Sequence, residues 1–340
     1  MNVAAGIDRF QQKYPAASFP LAVVYKYFDD QGNYLAATLT YYAFVSIFPL
    51  MLLGTSILGF VLRGRPQLQQ QIIDSVLSRF PIIGDEIGRP DGLQGSTSGL
   101  IVGVAVALYG ALGLGQALQN TLHVAWSVPR NSRPNPLLSR LKSLILLVTV
   151  GFALLVLTAV SAIGTAMLSR VSIRGWDWLN PVLRWGIPIA TILITGAMLS
   201  VLFRLGSARR DSVVRTAPGG FALAVMWQVL QIAGAQYVSR VLVGSATMTR
   251  TFALVLGLIG FIFIGAVMAV MAMEINVVLT RHLYPRAVLT PFTDNVELTA
   301  ADKRAYRNYA RAQRHKGFET VSVRFGKKSD DDDDDGDTLD

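Results

Sequence analysis

The sequence predicts an all-α membrane protein, a bundle of about six transmembrane helices with an outer amphipathic helix and a cytoplasmic tail. Three observations lead there. Of 340 residues, 52% are hydrophobic and 16% charged, where a soluble domain carries about 25% charged residues. The apolar residues fall in six stretches that contain no Asp, Glu, Lys or Arg. The Lys and Arg residues are spread unevenly over the segments between those stretches.

The six runs cover residues 35–62, 98–122, 143–169, 185–203, 216–239 and 251–273, and the last helix is expected to continue to 280. A helix needs about 20 apolar residues to cross ~30 Å of hydrocarbon at 1.5 Å per residue. Without water to satisfy stray backbone groups, helix is the conformation such runs must take. The alternating pattern of a membrane barrel is absent. The chain thus divides into a cytoplasmic or interfacial segment (1–34), a six-span domain (35–280) and a cytoplasmic basic segment with an acidic end (281–340).

Orientation follows from the basic residues. With the N-terminus inside, the cytoplasmic segments hold 22 of the 31 Lys and Arg. The segment between spans two and three has Arg130, Arg133, Arg140 and Lys142 and no acid. Both termini are therefore expected in the cytoplasm. The net charge of +9 is a topology signal, and no nucleic-acid partner is expected. Residues 1–17 include Asp8, Arg9 and Lys13 and lack the apolar core of a signal peptide. The chain has no cysteine, so it has neither disulfides nor thiolate metal sites.

Between spans one and two, Leu68, Ile72, Ile73, Val76, Leu77 and Phe80 recur at helical spacing. Residues 66–80 are expected to form an amphipathic helix on the outer interface or a small cap on the bundle, stopped by Pro81 and Gly84. Trp176, Trp178 and Trp185 mark an interfacial belt. Residues 300–316, basic with Tyr306 and Tyr309 interleaved, are either a helix on the anionic inner leaflet or a solvated tail. The six aspartates 330–335 repel one another and are expected to be disordered.

Several segments together resemble a known family. Leu35-Ala-Ala-Thr-Leu-Thr-Tyr-Tyr-Ala-Phe-Val-Ser-Ile-Phe-Pro49 is similar to the first-span signature of the YihY/BrkB family of bacterial inner-membrane proteins. Gln119-Asn120 with Ala125-Trp126, Pro218-Gly219-Gly220, Tyr237-Val238, Met273-Glu274-Ile275-Asn276 and Tyr284-Pro285-Arg286 agree with it in order. The match covers roughly residues 7–286. It implies six spans and a bacterial inner-membrane location, and it brings no settled activity. Members have been labelled ribonuclease BN. Here the three histidines, His123, His282 and His315, show no metal-ligand spacing, and no nucleophile or Walker motif occurs. No catalytic residue, cofactor or metal is expected.

Polar residues within the spans are the candidate site. Glu274 lies about 10 Å before the end of span six, where an unpaired carboxylate costs several kcal/mol. Its expected partners at that depth are Arg204, Lys142, Asn120 and Gln119. Asn276, two residues on, points about 200° away around the helix, so the two cannot share one narrow pocket. In span one, Thr38, Thr40, Tyr41, Tyr42 and Ser46 precede Pro49, which is expected to kink the helix near Val45–Ser46. Span five adds Gln228 and Gln231, three apart on one face, and Gln236. Each has a structural reading: Glu274 pins helix ends, the hydroxyls mend the kink, and the glutamines bond between helices.

Glycines in spans two (99, 103, 110, 113, 115) and six (257, 260, 265) place these helices centrally, and the same faces would also suit a homo-oligomer. Pro49 and Pro188 do not correspond well enough for more than a weak suggestion of a three-plus-three inverted repeat. Two function classes follow: a transporter or lipid/solute-translocating permease, with membrane lipid and an unidentified solute or lipid as partners, and a non-transporting envelope scaffold or assembly protein.

Overall fold

A computed structural model describes residues 15–61, 97–152, 180–207, 212–237, 247–288 and 296–326. Among the described residues every regular element is helical: α1 (Pro15–Asp29), α2 (Gly32–Val61), α3 (Thr97–Ala125), α4 (described over 136–152), α5 (Asn180–Gly206), α6 (Val213–Tyr237), α7 (Thr247–Arg281) and α8 (Ala300–Ala312), with a 3₁₀ turn at Arg130–Ser132. The outer helix (66–80), the segment 170–179 of the tryptophan belt and the acidic run (330–335) lie outside the described residues.

The protein is an α-helical membrane protein. Among the described residues three segments are long and apolar enough to cross a bilayer: Pro188–Gly206, Val213–Gln236 and Val255–Arg281. They coincide with spans four, five and six. The 30-residue α2 and 29-residue α3 occupy the positions of spans one and two, and much of span three falls outside the described residues.

α7 organises the bundle. It packs against α6, α2, α1 and α3, while α5 pairs with α6 and α3 with α2. Towards its C-terminal end Ala272, Met273, Val277 and Val278 are buried against Leu122, Trp126, Phe203 and Leu223, and Val270 against Tyr27, Ala36 and Leu39. Of the two glycine-bearing spans, the sixth is central, whereas the second packs mainly on the first. There the glycines act by close approach. A Cβ at Gly110 would come within 3.0 Å of the Ser46 backbone, and one at Gly113 would strike the Tyr42 ring.

Helix ends account for the rest. α1 and α2 meet at Gln31, whose φ is 56°. α3 and α7 finish in the same way. Val128 N–H donates to His123 O (2.8 Å) and Ser127 N–H to Val124 O (2.7 Å); Leu283 N–H donates to Val278 O (3.0 Å) and His282 N–H to Leu279 O (3.4 Å). This is the Schellman arrangement, and its left-handed residue is usually glycine. Here it is Ser127 (φ 45°) and His282 (φ 51°). Helical structure continues across Pro49, so the expected kink does not end α2.

Candidate functional site

Burial of charge marks the site. α1 presents Tyr25, Lys26, Asp29 and Asp30 at its C-terminal end, beside the last turns of α7. Lys26, 2% exposed, hydrogen-bonds and ion-pairs with Asp30. Its Nζ also donates to Ala125 O at 3.1 Å and lies 3.4 Å from Glu274 Oε2. Glu274 is completely buried, and neither of its oxygens accepts a hydrogen bond of normal geometry. Lys26 is thus what makes its burial tolerable.

A second ion group adjoins the first. After α7 the chain turns through the cis Tyr284–Pro285 bond and presents Arg286, 1% exposed. Its Nε donates to Asp302 Oδ1 (2.7 Å) and its terminal nitrogen to Asp29 Oδ2 (2.6 Å), while the rings of Tyr25 and Tyr306 flank the guanidinium at 5.7 and 5.9 Å. Asp302 also accepts from Ala287 N–H (3.1 Å), Thr299 N–H (3.0 Å) and the Thr299 hydroxyl (2.8 Å), which locks the capping box of α8 onto the bundle. Tyr309 links the two groups. Its hydroxyl donates to Asp29 Oδ2 (3.3 Å), and its ring lies 5.1 Å from Lys26 Nζ.

Four carboxyl groups (Asp29, Asp30, Glu274, Asp302) thus meet two cations. Burial pushes the Asp30 carboxyl above its ordinary 3.8, with Lys26 pulling against it. Burial also drives the Tyr309 phenol well above 10, reinforced by Asp30 and Asp29. For Arg286 burial works against the charge, but Asp29 and Asp302 outweigh it and hold the guanidinium above its usual value.

Glu274 and Asn276 diverge as their spacing requires. Asn276 Oδ1 accepts from Gly219 N–H at 2.7 Å, clamping α7 to α6. A Cβ at Gly219 would collide with the Ala272 carbonyl and the Asn276 amide, which is why the Pro-Gly-Gly segment sits there. The partner of Glu274 is Lys26, a residue absent from the expected set. Of that set, Gln119 bonds Ser139 O (2.9 Å) and Ser143 Oγ (2.8 Å), and Asn120 accepts from Arg133 (3.4 Å).

The structure does not gather the other candidates around one cavity. Thr38 and Tyr41 are exposed on α2, the Thr38 hydroxyl donating to Tyr34 O (2.8 Å). Tyr42 packs edge-on to Tyr41 (5.2 Å) and against Gly113. Ser46 is buried by α3 and donates to Ala43 O (3.0 Å). Gln228 and Gln231 line a cavity of about 440 Å³ between α2 to α7, walled by groups such as Leu118, Thr195, Phe203 and Trp227. Its lining is almost wholly hydrocarbon.

Sequence reasoning missed Lys26, Asp29, Asp30 and Asp302 as site residues. One local signal existed, the i,i+4 pairs Tyr25–Asp29 and Lys26–Asp30, which put four polar groups on adjoining strips of a helix.

Residues 23–295 match the family described as virulence factor BrkB. The chain belongs to this BrkB family. Inner membrane protein YhjD of Escherichia coli (strain K12) is 25% identical over 236 residues, 65% of this chain and 69% of that protein. An uncharacterized protein of Dickeya dadantii (strain 3937) is 26% identical over 168 residues, 46% of this chain and 51% of its own. No solved structure matches the chain. The BrkB match runs from the middle of α1 through α7 and includes Lys26, Glu274 and Arg286. It stops short of α8, so Asp302 and Tyr309 complete the ion cluster from outside the matched region.

Proposed function

We propose that this BrkB-family protein translocates acyl-chain amphiphiles, lipids or lipid-like solutes, across the bacterial inner membrane, with both termini in the cytoplasm. The observation that carries this reading is the 440 Å³ cavity within the bundle. A void lined by hydrocarbon stays dry and takes apolar guests, and in a bilayer the ready guest is an acyl chain. Gln228 and Gln231 on its α6 wall supply a polar foothold for a linkage such as an ester. The ion cluster at the end of α7 fixes α1 and α8 over that end of the bundle and serves the cavity as a rigid base.

The test is translocation of a tail-labelled phospholipid in proteoliposomes, read by quenching from outside. Wild-type protein should speed movement well above that in protein-free vesicles. Thr195→Phe, which fills the cavity, should slow it about tenfold, a rise of ~1.4 kcal/mol in the barrier, without lowering the melting temperature. Equal rates with and without protein would end this reading. If deletion of residues 300–340 alone then removed the cellular function, the scaffold reading would take its place.

A further inference from the structure

The matching ends of α3 and α7 face each other across a recess of about 360 Å³ lined by Trp126, Arg215, Leu279, Thr280, Arg281 and His282. Trp126 and Arg281 are the residues that close their respective helices. One terminal nitrogen of Arg281 donates to Trp126 O at 2.5 Å, and the guanidinium lies 5.9 Å from the indole, which joins the two ends. The first turn of α6 brings Arg215 in from a third direction. We propose that this recess is a binding site for a phosphate-type anion.

The lining argues for it. Arg215, Arg281, His282 and Thr280 all line it, and among the described residues of the lining none is acidic. Arginine's planar fork of donors matches phosphate oxygens. A topology signal requires basic residues on one side of the membrane, but it does not require them to converge on one concavity.

The backbone argues for it independently. His282 holds the left-handed position of the α7 cap, with φ 51°, where glycine fits without strain. Ser127 holds the same position in the α3 cap, but of the two cap residues His282 is the one that lines the recess, which sets an imidazole where the turn itself asks for no side chain. The inference goes beyond translocation and does not rest on it, because binding is measured without transport.

Two sources carry this chemistry, a phospholipid headgroup and free phosphate. Full-length protein is placed in nanodiscs of phosphatidylcholine alone or doped with phosphatidylglycerol. Retained lipid is counted by native mass spectrometry, and inorganic phosphate is titrated calorimetrically. Binding of one of the two probes should weaken about tenfold, the equivalent of one lost charge-assisted contact, in both Arg215→Gln and His282→Gly. His282→Gly should at the same time melt higher than wild type, which separates lost binding from lost folding. Phosphatidylglycerol retention that inorganic phosphate does not compete away identifies a headgroup site. Phosphate binding in phosphatidylcholine discs identifies a soluble anion. Wild-type affinity for both probes in both variants would overturn the proposal.

Discussion

Lys26 lies between Asp30 and Glu274, and these buried ions depend on one another unequally. Removing one side of a buried pair costs ~3–5 kcal/mol, because the remaining charge is left without compensation. Lys26→Met leaves two carboxyls in that position and should lose stability on that scale. Glu274→Gln leaves Lys26 with Asp30 and the Ala125 carbonyl and should cost about 1 kcal/mol. The double variant should melt above Lys26→Met alone, since one of the two stranded carboxyls is gone and only Asp30 remains. Melting in detergent decides this, and equal losses from the two single changes would show that Glu274 is a principal anchor. Asp30 adds a pH dependence. Its carboxyl holds a proton more tightly in the folded chain than its ordinary 3.8 allows. The stability it contributes is therefore full below that value and is lost as pH rises through the higher folded value. Melting temperature should fall as pH rises from about 4 across that window, and Asp30→Asn should flatten the fall.

At the scale of elements, two joints hold the helices in register. Asp302 completes the capping box of α8 and grips Arg286, so Asp302→Ala breaks the box and leaves the buried guanidinium with Asp29 alone, costing about 3 kcal/mol. α8 should come away, and trypsin should cut at Arg304, Arg307 and Arg311 faster than in wild type; an unchanged cleavage rate would show that α8 is held by other contacts. This docking differs from the solvated tail expected as one alternative for residues 300–316. Ala301, Asp302 and Ala305 are buried against protein, and Arg304, Arg307 and Arg311 face outward. The acid that does the docking is a single residue in a basic segment, which local composition hides. The other joint is Gly219 against Ala272 and Asn276. Gly219→Ala forces α6 from α7 and should cost about 1–3 kcal/mol, whereas Gly260→Ala, with no atom within 4 Å of the added carbon, should be nearly neutral in the same melting assay. The angular divergence of Glu274 and Asn276 was legible because it needs only helical geometry. The Lys26–Glu274 pair was not, because it joins residues 248 positions apart. α1 was also passed over as a helix, since Lys26, Asp29 and Asp30 mask apolar positions such as Ala22 and Val23 that bury it.

At the scale of the whole molecule, three distant parts of the chain meet at one end of the bundle. α1 reaches α8 through Asp29 and Tyr309 (3.3 Å). The turn after α3 reaches the C-terminal segment where Asn131 N–H donates to Arg314 O and Arg314 Nε donates to Asn131 Oδ1, both at 3.3 Å. Segments in contact lie on one side of the membrane. An even number of crossings therefore separates α1 from the turn at 130–132, and again separates that turn from α8. The six apolar runs satisfy this with two and four crossings, and the basic residues 130–142 and 303–316 are the ground on which the shared side is proposed to be cytoplasmic. The chain has no cysteine, so single introduced cysteines report sidedness without background. Ser132→Cys and Phe318→Cys, the latter at a residue 90% exposed, should resist a membrane-impermeant maleimide in intact spheroplasts and react in inverted vesicles. Asp91→Cys, between spans one and two, should show the reverse. Labelling of positions 132 and 318 from opposite sides would break the contact between Asn131 and Arg314 and, with it, the six-span arrangement.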